Sequence, residues 1–220
     1  PFDDVEGQRL LPVFLFRTRD QYIEFVAQNT SMDASQAARS AGVASGDWYA
    51  TTYEDPKDST HIHELTHQVF GNRLLLRGGG SWLQEGVAVY VETQEYREEA
   101  NKVKNVGRRV GKDGIAEATE NGDFVPFRRF FVMPSLLLSN EGQTQKGNNA
   151  AGQAYDQAGA VIRFVMEDKR TREQGFDFIR LVGSQARGDL PATEAAIRRF
   201  FGVTLEEFEE MYAEFWKKAR

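Results

Sequence analysis

The hydrophobic pattern of this chain changes character near residue 60, and that change limits the architectures open to it. Before it, short apolar and β-prone runs alternate with short helical stretches. After it, apolar residues recur at helical spacing almost to the end. Residues 10–16 (LLPVFLF) read as a buried strand. Residues 19–29 read as a short helix, with Tyr22, Ile23, Phe25 and Val26 on its apolar side, and the Ala- and Ser-rich stretch 32–41 as a second. Residues 47–53 (DWYATTY) are aromatic and Thr-rich and have strand character. A helix is expected over 60–70, with Gly71-Asn72 as its stop signal. Ser81 opens another, where Ser81 and Gln84 fit a capping box, and it extends to about residue 106. Residues 151–168, 172–184, 192–200 and 204–218 carry helical periodicity. Residues 107–149 are loop-rich, and 141–149 (EGQTQKGNN) read as flexible or solvent-exposed. The chain has no internal repeat. The expected fold is α+β in one domain spanning 1–220. A small N-terminal mixed α/β lobe with a short sheet (1–58) precedes a helix pair (59–106), the loop-rich segment and a mainly helical lobe (150–220), with a cleft between the lobes.

No cysteine occurs among the 220 residues, which removes disulfide frameworks, thiolate metal sites and cysteine nucleophiles together. At 40% hydrophobic and 27% charged residues, a chain of this length can bury a core without covalent staples. The net charge of −6 argues against a nucleic-acid partner, which needs a dense basic surface. No apolar run approaches the roughly 20 residues of a membrane span. The sequence starts at Pro1, which reads as a processed or trimmed end from which a signal peptide could have been removed.

His63-Glu64-Leu65-Thr66-His67 is an HExxH motif and holds two of the three histidines. On a helix, residues four apart share a face, so both imidazoles can reach one ion, and Glu64 falls beside them without being a ligand. Zinc suits nitrogen and oxygen donors and lowers the pKa of water towards about 7. Ile62, Leu65 and Val69 form an apolar stripe by which this helix is expected to be buried. A catalytic zinc site usually has three protein ligands. His61 lies roughly opposite His63 on the helix and is a poor ligand, expected to be exposed or to act in capping. A carboxylate must then complete the set. Trp82-Leu83-Gln84-Glu85-Gly86 offers Glu85, with seventeen residues between it and His67. Gly86 is expected to let the two motif helices approach closely. The stretch 77–81 (RGGGS) lacks the P-loop pattern and reads as a flexible turn.

HExxH followed at this distance by W-L-x-E-G resembles the gluzincin metallopeptidases, and within them the bacterial peptidase MA-like domains. The likeness extends over most of the chain. It covers an opening strand, the DWYATTY strand, HELTH, WLQEG, a helix near AYDQAGAVIRFV and a closing GVTLEEFEEMYAEFW helix. It implies a zincin-like fold, with His63, His67 and Glu85 as zinc ligands and Glu64 as general base. It also implies a peptide or protein substrate and an extracytoplasmic location. The aminopeptidase signature G-x-M-E-N is absent, and Val89 stands where the thermolysin-like pattern has an Asp four residues after the third ligand.

The implied reaction is amide hydrolysis, with Glu64 taking a proton from the attacking water. Related enzymes often stabilise the oxyanion with a Tyr or His, and Tyr155, opening the helix after the loop, is the residue expected here. Residues 47–53 are expected to act either as an edge strand to which a peptide adds or as an ordinary sheet strand. Two other functions compete. One is a catalytically inactive zincin-fold module that binds a protein partner; the other is a metal-dependent hydrolase of a non-peptide amide.

Overall fold

Thr18 and Asp33 set the first two helices. The Thr18 hydroxyl accepts the Gln21 N–H at 3.4 Å and starts α1, Arg19–Asn29. Asp33 and Gln36 form a reciprocal capping box that starts α2, Ala34–Ala37, much shorter than the expected 32–41. The computed structural model describes residues 11–46, 48–52, 60–97, 102–105, 124–136 and 150–218, so the expectation for 141–149 lies outside the described residues. The chain separates into two compact units, Pro1–Leu74 and Leu75–Arg220.

The first unit carries a three-stranded sheet in the order β1-β3-β2. Strand β1, Val13–Phe16, runs parallel to β3, Trp48–Thr52, and β2, Gly42–Ser45, pairs antiparallel with β3. Helix α1 buries Tyr22 and Val26 with Ala37 and Ala50, and Phe16, Phe25 and Trp48 pack around them. The expected buried strand is instead an edge, with Val13 44%, Phe14 38% and Leu15 51% exposed. The DWYATTY strand is the central one, with Tyr49–Thr52 buried. Both sides of β3 are therefore already hydrogen-bonded, and it cannot take an added peptide strand. The sequence reading missed β2, whose small residues carry little β signal. The hairpin sign was there: Gly46, at φ 57°, turns the chain between the paired Ser45 and Trp48.

Helix α3, Thr60–Gln68, completes this unit and packs on β2 and β3. It does not stop at Gly71-Asn72. It widens into a π-helical turn, Val69–Arg73, that carries the winding through both residues.

The second unit opens on Gly78, Gly79 and Gly80, which are buried rather than forming a loose exposed turn. The Gly78 N–H donates to the Gly183 carbonyl at 2.7 Å. Helix α4, Ser81–Glu92, has Gly80 at its N-cap, so the expected capping box does not form. The Gln84 amide instead donates to the carbonyls of Leu76 and Gly78, at 3.0 and 2.8 Å, and the Ser81 hydroxyl accepts the Leu136 N–H at 3.3 Å. The helix ends near Thr93, and β4, Gln94–Arg97, pairs antiparallel with β5, Lys102–Asn105, where more helix is expected.

Within the nominal loop region, α5, Phe127–Phe130, buries Phe127 and Phe130 and leaves Arg128 and Arg129 exposed. Helix α6, Ala150–Glu167, crosses α4 at Gly86, where a Cβ would come within 2.6 Å of the Ala158 carbonyl oxygen. Gly86 thus serves the α4–α6 contact. Helices α7, Gly175–Ser184, α8, Leu190–Phe201, and α9, Leu205–Lys218, follow within a few residues of expectation. The core of this unit is largely aromatic, with Trp82, Phe127, Phe131, Phe164, Phe178, Phe208, Tyr212 and Trp216 all fully buried. No helix among the described residues is long and apolar enough to cross a membrane.

One ion-pair network ties the end of α6 to α9. The Arg170 guanidinium grips both oxygens of Asp168, at 2.9 and 3.0 Å, and reaches Glu214 at 2.9 Å. Burial alone would raise the Asp168 pKa, but the hydrogen bonds and charge of Arg170 outweigh it and hold the carboxyl below its ordinary value. A folded-state pKa below the unfolded value, about 3.9, gives stability that is present above that pH and lost as pH falls through the folded value. Thermal melts between pH 6 and 2 should therefore show an acid-side fall that is shallower in Asp168→Asn. Parallel curves for the two proteins would rule out this contribution.

Candidate metal centre

Helix α3 fixes the geometry of the HExxH residues. His63 and His67 stand one turn apart, with ring centroids 4.8 Å apart and Nε2 atoms separated by 3.2 Å. Two nitrogens at zinc distances of about 2.0–2.1 Å and tetrahedral angles lie about 3.3–3.4 Å apart. The separation is that of an N–H···N hydrogen bond between the two rings, and it is also close to the spacing that one cation imposes on two neighbouring ligands.

The inward face of the helix differs from expectation. Ile62 and Leu65 are each 44% exposed, and the buried residues are Thr60, Glu64 and Gln68, spaced four apart. The reason lies in the sheet. The β2–β3 hairpin presents backbone carbonyls at Trp48 and Gly46 that need donors, and a hydrocarbon face has none to give. The Gln68 amide donates to the Trp48 carbonyl, and the Asn72 amide donates to the Gly46 carbonyl at 2.7 Å and to Gln68 Oε1 at 2.8 Å. Gln68 and Asn72 were missed as site-building residues. Their signal is the polar series 60, 64, 68, 72 at helical spacing.

Glu64 is 8% exposed and lies against β2, where Gly42 leaves it room. Its charge reaches into the sheet. Burial raises the pKa of Tyr49, and the negative charge of Glu64 raises it further. Burial likewise raises that of Tyr22, against the hydrogen bond from Ser40 and the charge of Arg19, with Glu64 adding to the rise. His61 is half-buried rather than exposed, and its Nε2 is enclosed.

Glu85 lies in the second turn of α4 and is half-buried. His63, His67 and Glu85 are a group that could hold a metal ion: each offers one ligand atom, and these atoms all lie within 4.8 Å of one another. Two imidazoles and a carboxylate are a donor set that fits zinc. Val89, four residues after Glu85, is 4% exposed and part of the apolar core. Tyr155 does not open its helix; α6 begins at Ala150, so Tyr155 falls in the second turn, half-buried.

No family model, curated protein or solved structure matches this chain.

Proposed function

We propose that this chain is a zinc-dependent peptidase, with His63, His67 and Glu85 as metal ligands and Glu64 as general base. The observation that carries the reading is the 3.2 Å separation of the His63 and His67 Nε2 atoms, with the Glu64 carboxylate on the residue between them in the motif. Zinc held there would polarise the scissile carbonyl and make water a stronger acid near neutral pH.

The chain's own residues supply the proton transfers. Glu64 takes a proton from the attacking water and returns it to the leaving amine. Its shelter against β2 keeps the carboxylate in one place through both transfers. Tyr155 is proposed as the hydrogen-bond donor to the oxyanion. Because β3 is central, the role of receiving a substrate strand passes to β2, which is at the edge of the described sheet and pairs on its other side with β3. A peptide lying along β2 would pass close to Glu64, which packs against Gly42 of that strand.

The test is metal analysis of protein purified without added metal, joined to casein cleavage. About one zinc per chain and cleavage that a chelator stops and zinc restores are expected. Protein that retains no zinc and leaves casein intact would end this reading. Zinc-loaded protein inert on casein but active on an ester or a cell-wall amide would move the substrate to the non-peptide class.

A further inference from the structure

Glu64 is held by what is missing from the strand beneath it, an inference that rests on the role proposed for Glu64. Gly42 opens β2 and pairs with Thr51. A Cβ built on Gly42 would stand 2.8 Å from Glu64 Cγ, 3.0 Å from Thr60 Cγ2 and 3.1 Å from Glu64 Oε1. The first of these is closer than real Cβ contacts come, so something would have to shift. Gly42 is not among the glycines with positive φ, so the backbone conformation does not require a glycine here. What requires it is the space.

The parts around that space differ in stiffness. Strand β2 is fixed by its antiparallel register with β3, and the Thr51 hydroxyl donates to the Ala41 carbonyl at 3.0 Å just before it. Helix α3 is fixed through Gln68 and Asn72 to the turn of the same hairpin. Rotation about the Cα–Cβ bond of Glu64 moves Cγ away and carries the carboxylate with it, which makes this side chain the softer member. An added methyl would therefore displace the carboxylate rather than the strand or the helix.

We propose that Gly42 is a positioning residue for the general base: its lack of a side chain creates the room in which the Glu64 carboxylate stands. A side chain at position 42 leaves both histidines on their helix face but moves the group that handles the proton.

The experiment uses Gly42→Ala in the full chain, with two readouts. Crystal structures of metal-free wild type and variant should show the Glu64 carboxylate displaced by about 1 Å or more while the β2–β3 register is kept. On a peptide that wild type cleaves, kcat should fall roughly 10–100-fold, with KM changed by no more than about twofold and zinc content unaltered. A carboxylate that stays in place while β2 moves, or an unchanged kcat, overturns the proposal. Should wild type prove inert on peptides, the crystal structures still decide the role of Gly42, and only the peptidase reading falls. If Gly42→Ala does not fold, Gly42→Ala with Thr60→Ser carries the same test, since it removes the Thr60 methyl and keeps the collision with Glu64. Failure of both to fold would show that the strand takes up the strain, and would overturn the proposal.

Discussion

If the proposed peptidase reading holds, Glu64→Gln will retain zinc and lose turnover, with kcat falling by roughly 10²–10⁴-fold. The amide has the shape of the carboxylate, so it fits the same space against Gly42 and the protein should melt close to wild type. What it lacks is a basic lone pair, and with it the means to take a proton from water. His67→Ala separates the two halves of the site in the opposite sense. It removes one of three ligand atoms that lie within 4.8 Å of one another, and zinc content should drop with activity. Tyr155→Phe, if that hydroxyl serves the oxyanion, should lower kcat by roughly 10²-fold with zinc retained. Zinc per chain by mass spectrometry and kcat on one peptide sort these outcomes. Wild-type kcat in Glu64→Gln would remove Glu64 from the mechanism, and full zinc in His67→Ala would move the metal elsewhere.

The largest effect on folding is expected at a residue with no side chain. A Cβ on Gly78 would lie 1.6 Å from the backbone oxygen of Gln185, 2.8 Å from its carbonyl carbon and 2.9 Å from the Gly183 oxygen. All three are backbone atoms, and the Gly78 N–H is already bonded to that Gly183 carbonyl. No rotamer can relieve the contact, so the two segments must separate and break the hydrogen bond between them. Gly78→Ala should cost at least about 3 kcal/mol, a fall of roughly 6–12 °C in Tm. Leu75→Ala is the control, since Leu75 is 70% exposed. A Gly78→Ala melt within about 2 °C of wild type would show that the approach of the two segments is much looser than these distances.

Some of this was readable from residues alone, and the pattern has physical reasons. The HExxH spacing fixes both histidines on one face because helical periodicity does not depend on context. Helices α1, α7, α8 and α9 are legible through apolar periodicity alone; the structure adds to α8 an Asp189 N-cap and a left-handed Gly202 at its end. Burial was harder to read. The run ending in Val13–Phe16 is apolar, yet it occupies a sheet edge, and nothing in its composition states which strands flank it. The inward face of α3 was misread because Ile62 and Leu65 outweigh Gln68 on any hydrophobicity scale, while the deciding partners were hairpin carbonyls far off in sequence. Residues 94–106 were read as helix because their charged residues carry weak strand signal. The pairing of Gln94 with Asn105 and of Arg97 with Lys102 is a non-local fact.

The polar lining beneath α3 bears on any attempt to make this protein more heat-resistant. Thr60 and Gln68 are buried and hydrophilic, so a search for stabilising replacements would be drawn to fill those places with hydrocarbon. A hydrocarbon at position 68 would take away the donor to the Trp48 carbonyl, and with it the tie that keeps the histidine-bearing helix in register with its hairpin. Variants selected for survival at high temperature should accordingly accumulate changes in the aromatic interior around Trp82 and Phe208, and those selected for turnover should leave Thr60 and Gln68 alone.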